Sequence, residues 1–404
     1  MFFVVAAAIV ILYAGLYYIA DPADNRRGRS VTDATEASTV ETVSVLRNLA
    51  LGCALFVAFD GLVFHSGLYR SILKPSSYAG NISRSVANEN RRTLSGATEV
   101  LVIGDSRIAM GFSAVLANNA TRPMGVRFTK LAIGGTDARV WFYLLREIDP
   151  SAERYDAIVV PLQPDNSLTS RKPYDDRSID IVQAAPLLRY ADAYSFASSF
   201  GEWKNQARAF VACLLRGSAF QADLQDLLQH PAARLAAQRT KEVEVDLLRR
   251  PPLRGLSYDR RRRRIIFPSG LTKFQKVTIG QSARFAREGP RWDGKSAVWF
   301  TRIMERYSKS KTKIIFVQLP RGPLASVFKV QAGQAATPFC RPGAVMPAYH
   351  FADLETPEYF VDGFHLNLKG LRQFTQRLAE EVVARLGKSG ASGEETTSAN
   401  SPGT

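Results

Sequence analysis

The stretch EVLVIGDSRIAM at residues 99–110 decides how the rest of the chain is interpreted. Its first five residues, Glu99–Ile103, are mostly aliphatic and predict a buried β-strand that ends abruptly at Gly104-Asp105-Ser106, where a helix is expected to begin. Open α/β sheets place reactive groups at the carboxyl ends of their strands. The Ser106 hydroxyl is therefore a candidate nucleophile, and the alternative is that Ser106 caps the following helix.

Strand patterns of the same kind alternate with helical patterns along the chain. We expect further strands at 126–133, 157–162 and 313–319, and helices at 138–148, 296–307 and 368–386. Strands that alternate with helices imply a mainly parallel sheet covered on both faces. The sequence therefore predicts the α/β class.

A second candidate group lies near the carboxyl end, in YFVDGFHLNL at residues 359–368. A serine hydroxyl needs a base to become a nucleophile, and the base needs a third group that fixes its tautomer. Asp362 and His365 are three residues apart, so a short turn lets the carboxylate orient the imidazole while the other ring nitrogen faces a neighbouring loop. We predict that this nitrogen meets Ser106. The alternative for His365 is a structural or surface histidine.

GDSR at 104–107, together with DGFH at 362–365, resembles the first and last sequence blocks of the SGNH/GDSL hydrolase superfamily. The resemblance covers residues 99–386. It implies a flavodoxin-like three-layer α/β/α fold, with the catalytic serine after the first strand and the Asp-x-x-His pair just before the last helix.

The same resemblance implies three donors for an oxyanion: the backbone N–H of Ser106, a glycine after the second strand and an asparagine after the third. Gly135, in LAIGGTDAR at 131–139, is the expected glycine. The usual Gly-x-Asn-Asp block is replaced by LQPDN at 162–166, which makes Asn166 the candidate amide and Gln163 its alternative. Arg107 is a candidate for binding a substrate anion, or else forms a surface ion pair.

The N-terminal part predicts a membrane anchor of two transmembrane helices within residues 1–69. Residues 1–20 are uncharged and long enough to cross a bilayer, with a cleaved signal peptide as the alternative. A second apolar stretch covers 49–69, where Asp60 and His65 leave an amphipathic or buried helix as the alternative. Arginines in the intervening loop place that loop in the cytoplasm, so the N-terminus and everything after Tyr69 are expected outside.

After the anchor we expect a polar neck at 70–98, the SGNH-like domain at 99–386 and a disordered low-complexity tail at 387–404. The domain contains an insertion at 167–292, too long for an ordinary loop. The insertion carries 23 Lys and Arg against 12 Asp and Glu, which is +11 of the chain's net +16. Five consecutive arginines occupy Arg260–Arg264. They are interpreted either as a solvated or membrane-surface charge run or as a cationic surface that attracts an acidic substrate.

The composition limits the classes of binding partner that we expect. The net positive charge favours an anionic partner, but the sequence contains no nucleic-acid-binding motif, so we expect no nucleic acid partner. Three cysteines without metal-type spacing and four histidines predict neither a metal site nor a cofactor, and leave a Cys213–Cys340 disulfide open.

The resemblance extends to membrane-anchored members that act in the cell envelope. It implies a serine esterase or O-acetyltransferase that works on a cell-envelope or exported polysaccharide through an acyl-serine intermediate, together with partners in envelope biosynthesis. The alternative from another class is an inactive membrane-anchored scaffold or glycan-binding component, in which the basic insertion carries the function.

Overall fold

The computed structural model describes residues 34–162, 176–237, 250–288, 294–328, 345–346 and 348–387. The predicted first transmembrane helix, Asn166, Cys340 and nearly all of the predicted tail lie outside these residues. The chain divides into two compact units. The first extends to Ile72 and includes Leu215–Gly217, and the second comprises Leu73–Leu214 and the chain from Ser218 onward.

The first unit is built on one long helix, α1 (Ala34–Asp60), continued by a π-helical turn at Gly61–His65. Within it, Arg47–His65 is long and apolar enough to cross a membrane. Asp60 is buried, and its carboxylate accepts hydrogen bonds from the backbone N–H groups of Arg216 at 2.9 Å and Gly217 at 2.8 Å. The carboxylate that the sequence places within the second apolar stretch is therefore satisfied by backbone donors.

Residues 70–98 differ from the expected polar neck. They contain a helix, α2 (Tyr78–Arg91), whose Ile82 is fully buried in the core of the second unit. The Ser77 side chain caps this helix by accepting a hydrogen bond from the Gly80 N–H at 3.1 Å. Tyr155 donates a 2.7 Å hydrogen bond to Glu89, which ties the helix to the chain before the third strand. The segment from Leu73 onward thus belongs to the α/β unit.

The second unit is built around a parallel sheet. Its strands are β1 (Thr98–Gly104), β2 (Val126–Ala132), β3 (Ala157–Leu162), β6 (Lys313–Gln318) and the two-residue β7 (Val345–Met346), in the order β2-β1-β3-β6-β7. Two further strands, β4 (Ser257–Asp259) and β5 (Arg264–Ile266), form a separate antiparallel hairpin. The predicted strands are confirmed within one residue at each end.

Alternating side chains of the central strands enter two different hydrophobic cores. Leu101 and Ile103 of β1 pack in one core with Trp141 and Phe300, whereas Val100 and Val102 pack in the other. Because successive side chains of a strand point to opposite faces, helices must cover both sides of the sheet. The α/β class is confirmed, and the layers are helices, sheet and helices.

The remaining α-helices of the second unit follow the chain order. The predicted helices at 138–148, 296–307 and 368–386 are confirmed, with the last two each extended by one or two residues. The helices are α3 (Ser106–Gly111), α4 (Ala114–Thr121), α5 (Ala138–Ile148), α6 (Ile179–Ala184), α7 (Ala193–Ala197), α8 (Trp203–Leu214), α9 (Gln221–Gln229), α10 (Pro231–Ala237), α11 (Lys273–Glu288), α12 (Gly294–Tyr307) and α13 (Leu368–Gly387).

The described residues of the insertion contain several helices and one hairpin. Helices α6 to α11 and the β4–β5 hairpin all lie within it. The five arginines form the tip of the hairpin and are exposed, and Asp259 accepts hydrogen bonds from the backbone N–H groups of Arg261 and Arg262 at 3.0 Å each. The hairpin turn therefore holds the basic run at the surface.

Gly104 ends β1 where the chain must turn into α3. A Cβ at this position would lie 2.4 Å from Ile108 Cγ1 and 2.7 Å from Ile108 Cβ. Ile108 is fully buried, so it has no room to move away. The close approach of strand and helix requires glycine here.

We expect Gly104→Ala to destabilise the second unit by about 1–3 kcal/mol, because the added methyl overpacks a closed core. The measurement is the midpoint of thermal unfolding of the purified chain. Gly280→Ala is the matched control, since its Cβ would meet nothing within 4 Å and alanine favours the helix around it. Equal midpoints for the two variants would contradict the packing argument.

Candidate active site

Ser106 is the first residue of α3, directly beyond the carboxyl end of β1. The residue that caps α3 is Asp105, whose carboxylate accepts a hydrogen bond from the Arg107 N–H at 2.9 Å. Ser106 therefore does not cap the helix, and its hydroxyl is available for another role.

The Asp362–His365 segment forms a tight turn just before α13. The Val361 N–H donates to the His365 carbonyl at 3.0 Å, and Phe360 and Leu366 form an isolated antiparallel bridge around the turn. Asp362 Oδ1 accepts hydrogen bonds from the backbone N–H groups of Phe364 and His365, both at 2.8 Å. The turn therefore fixes the carboxylate relative to the histidine that follows it.

The structure brings Ser106, His365 and Asp362 together. His365 Nδ1 lies 2.8 Å from Asp362 Oδ2, and His365 Nε2 lies 2.9 Å from Ser106 Oγ. An ionised carboxylate only accepts hydrogen bonds, so Nδ1 carries the ring proton and Nε2 is left to accept the serine proton. This is the relation of nucleophile, base and orienting acid that serine acylation requires.

The environment keeps Asp362 ionised. Burial alone would raise the pKa of Asp362, but the hydrogen bond and charge of His365 and the two backbone N–H donors outweigh it, so the pKa lies below the ordinary aspartate value. The carboxylate can then stabilise an imidazolium that forms on His365.

Helix α11 of the insertion supports this turn from one side. Gln275 Nε2 donates to the Val361 carbonyl at 2.9 Å, and the Gly363 N–H donates to Thr278 Oγ1 at 3.2 Å. A Cβ on Gly363 would lie 2.0 Å from the Thr278 carbonyl oxygen, so the turn packs directly on the helix backbone. Gln275 and Thr278 carry no sequence motif that predicts this contact, and only the glycine inside DGFH is typical of such a close approach.

Gly134 and Gly135 lie in the turn after β2. A Cβ on Gly134 would lie 3.9 Å from Ser106 Cβ, which places this turn beside the candidate nucleophile. Gly135 has a φ of 75°, a backbone conformation that favours glycine. Within the described residues, the backbone N–H groups of Ser106, Gly134 and Gly135 have no hydrogen-bond partner. Gly135 thus stays the predicted oxyanion donor.

Of the two remaining predicted site residues, Arg107 and Asn166, the structure describes only Arg107. Arg107 Nε donates to Asp105 Oδ2 at 3.1 Å, which corresponds to the ion-pair alternative for this residue. Asn166 and its alternative Gln163 lie outside the described residues.

The chain was compared with protein-family models and with curated proteins. No family model matches it, and the curated proteins include no significant match. Within the described residues, no group of three or more His, Cys, Asp or Glu side chains is placed to hold a metal ion.

We expect Asp362→Asn to lower the stability of the second unit by about 1–3 kcal/mol at neutral pH, because a hydrogen-bonded buried carboxylate is lost. The pKa of Asp362 is lower in the folded than in the unfolded chain, so its contribution is fully present above about pH 4 and is lost as the pH falls through the folded value. Thermal unfolding of both proteins from neutral to acidic pH measures this. A difference in midpoint that stays constant below pH 4 would contradict it.

Proposed function

We propose that this protein is a serine esterase or O-acetyltransferase that acts through an acyl-serine intermediate. The observation that carries the proposal is the pair of hydrogen bonds that links Ser106 Oγ to His365 Nε2 at 2.9 Å and His365 Nδ1 to Asp362 at 2.8 Å. Side chains 259 positions apart in sequence meet with the geometry of an activated nucleophile.

The reaction follows from these contacts. As Ser106 Oγ attacks the ester carbonyl, His365 Nε2 takes the hydroxyl proton, and the carbonyl oxygen becomes an oxyanion. The oxyanion then reforms the carbonyl, the bond to the leaving alcohol breaks, and His365 returns the proton to that alcohol. Water or a sugar hydroxyl next attacks the acyl-serine carbonyl while His365 Nε2 removes its proton, which forms a second oxyanion. When this oxyanion reforms the carbonyl, the bond between the acyl carbon and Ser106 Oγ breaks, His365 returns the proton to Oγ, and the carboxylic acid or the acylated sugar is released.

The resemblance to SGNH/GDSL hydrolases is supported by the placement of the two motifs. The strand order of β2, β1, β3 and β6 corresponds to the flavodoxin-like order. Ser106 follows the first strand, and Asp362 and His365 directly precede the last helix. Two short motifs, one after the first strand and one before the last helix, are together a more specific signal than either motif alone.

The proposed location rests on the membrane anchor, and the proposed substrate rests on the resemblance to envelope members of the superfamily. The span Arg47–His65 and the basic loop that precedes it favour an extracytoplasmic second unit. We infer a polysaccharide of the cell envelope, or one that is exported, as the substrate that carries or receives the acyl group, and envelope biosynthesis proteins as partners.

A second candidate function is an inactive scaffold or glycan-binding component. The exposed arginine tip of the β4–β5 hairpin favours it, since a cationic surface can bind an anionic glycan without chemistry at Ser106. The hydrogen-bond distance between Ser106 and His365 favours the enzyme.

We expect the purified full-length chain to form an acetyl adduct on Ser106 when it is treated with p-nitrophenyl acetate. Ser106→Ala should lose the adduct and reduce p-nitrophenol release by on the order of 10³-fold, because the nucleophile is removed. Mass spectrometry of the peptide that contains residue 106 detects the adduct. Adding a sugar acceptor distinguishes the two activities, since an O-acetyltransferase transfers the label to the sugar.

Ser308→Ala is the matched control, because Ser308 is an exposed serine whose hydroxyl donates to the Glu305 carbonyl rather than to a histidine. An adduct that persists unchanged in Ser106→Ala would exclude Ser106 as the nucleophile. Wild-type protein with neither adduct nor turnover would favour the scaffold.

We expect a reporter enzyme that is active only outside the cytoplasm to be active when fused after Tyr69 and inactive when fused after Arg29, because the arginine-rich loop stays in the cytoplasm. Enzyme activity of the two fusions in whole cells is the measurement. Activity of the Arg29 fusion with an inactive Tyr69 fusion would reverse the proposed orientation.

A further inference from the structure

Two side chains of the insertion contact the carbonyl groups of the turn beside Ser106. Gln183, on α6, donates from Nε2 to the Gly134 carbonyl at 3.2 Å. Arg177, two residues before α6, donates from its guanidinium to the Gly135 carbonyl. A Cβ on Gly135 would lie 3.5 Å from Gln183 Nε2 and 3.9 Å from an Arg177 guanidinium nitrogen, so both side chains pack directly on this glycine.

These contacts determine how the turn presents its N–H groups. No cis peptide occurs in the described residues, and the C=O and N–H of a trans peptide point in opposite directions. The hydrogen bond from Gln183 to the Gly134 carbonyl therefore directs the Gly135 N–H away from α6. Ser106 lies beside Gly134, and within the described residues the Gly135 N–H has no hydrogen-bond partner.

Both side chains are held firmly. Gln183 is fully buried, so its amide cannot exchange the Gly134 carbonyl for bulk water. Arg177 Nε lies 3.6 Å from Asp180 Oδ1, and Asp180 Oδ2 accepts a 2.8 Å hydrogen bond from Arg139. Asp180 and Arg139 are both buried, which gives the arginine contact a rigid base.

We propose that Gln183 and Arg177 are positioning residues that fix the Gly134–Gly135 turn so that the Gly135 N–H meets the developing oxyanion. This inference rests on the proposed acyl-serine chemistry. Donors that are oriented before the reaction stabilise the charge that develops on the carbonyl oxygen, and they do so without reorganisation during the reaction. Neither residue touches the reacting atoms, and both act through the glycine backbone.

The first part of the insertion thereby acquires a role in positioning the glycine turn. The usual asparagine block after β3 is replaced in this sequence by LQPDN, so among the described residues the glycine turn is the donor element beside Ser106 whose supports can be examined. A turn rich in glycine is also conformationally free, and without outside contacts its N–H groups would not stay aligned. The contacts from α6 supply that restraint.

The test is the turnover of p-nitrophenyl acetate by the full chain with Gln183→Leu, which removes the amide donor at nearly constant volume. We expect kcat to fall about 10- to 100-fold while KM changes less than about threefold, because the lost alignment affects the transition state and not substrate binding. The burst of p-nitrophenol should slow in parallel, since acylation is the step that forms the first oxyanion.

Gln206→Leu is the matched control. Gln206 lies on α8 of the same insertion and donates to the Phe200 backbone carbonyl at 2.8 Å, so this variant removes an equivalent hydrogen bond away from Ser106. It should lose a similar amount of thermal stability and retain wild-type kcat. A kcat for Gln183→Leu within twofold of the control would overturn the inference.

Arg177 provides a second variant if Gln183→Leu does not fold, because its side chain is about one-fifth exposed. Arg177→Ala should lower kcat, and Arg177→Lys should restore part of it, since lysine still donates to the Gly135 carbonyl. Equal kcat values in both variants and in the wild type would also overturn the inference. Wild-type protein that forms no Ser106 adduct would refute the proposed function instead, so the two failures are distinguishable.

Discussion

The hydrogen bond between Ser106 Oγ and His365 Nε2 joins two segments that are 259 residues apart, and the contact depends on how the fold places both segments. Ser106 is placed by the carboxyl end of the central strand β1, and His365 by the turn before α13. Helix α13 packs its Phe374 and Leu378 in the same core as Ile108 of α3. A shared apolar core therefore fixes the distance between Ser106 and His365. Side chains on loops without this core would not hold that distance.

Glycine positions mark the places where this arrangement tolerates no side chain. Gly104 allows β1 to turn into α3 against Ile108, and Gly363 allows the turn that contains Asp362 and His365 to touch the backbone of α11. Gly135 adopts a positive φ beside Gln183 and Arg177. The three glycines belong to the β1–α3 connection, the turn after β2 and the turn before α13, which lie together around Ser106. Close backbone packing, rather than side-chain bulk, thus sets the geometry of the site.

The parallel sheet and the pairing of Ser106 with His365 were predictable because both depend on short patterns. Alternating strand and helix periodicity predicts the sheet, and a topological rule places the serine at its carboxyl edge. Helix α2 was not predictable in the same way, since residues 78–91 are mostly polar and the helix depends on the burial of Ile82 against other elements. Gln183 and Gln275 carry no local sequence signal, because only the folded chain brings their amides to the Gly134–Gly135 turn and to the turn that contains Asp362 and His365.

The insertion contacts both the Gly134–Gly135 turn and the turn that contains Asp362 and His365. Its position therefore explains how a long basic segment and the short motif around Ser106 belong to the same region of the fold. A parallel sheet supplies the ends of strands, where reactive groups sit, but it supplies no walls around them. Here α6 contacts the turn after β2, and α11 contacts the turn that contains Asp362 and His365. The same segment also carries most of the net positive charge, exposed at the β4–β5 hairpin. One insertion therefore contacts the two turns that flank Ser106 and also carries the exposed arginines of the β4–β5 hairpin, so it contributes both to the packing around the serine and to the charge of the surface.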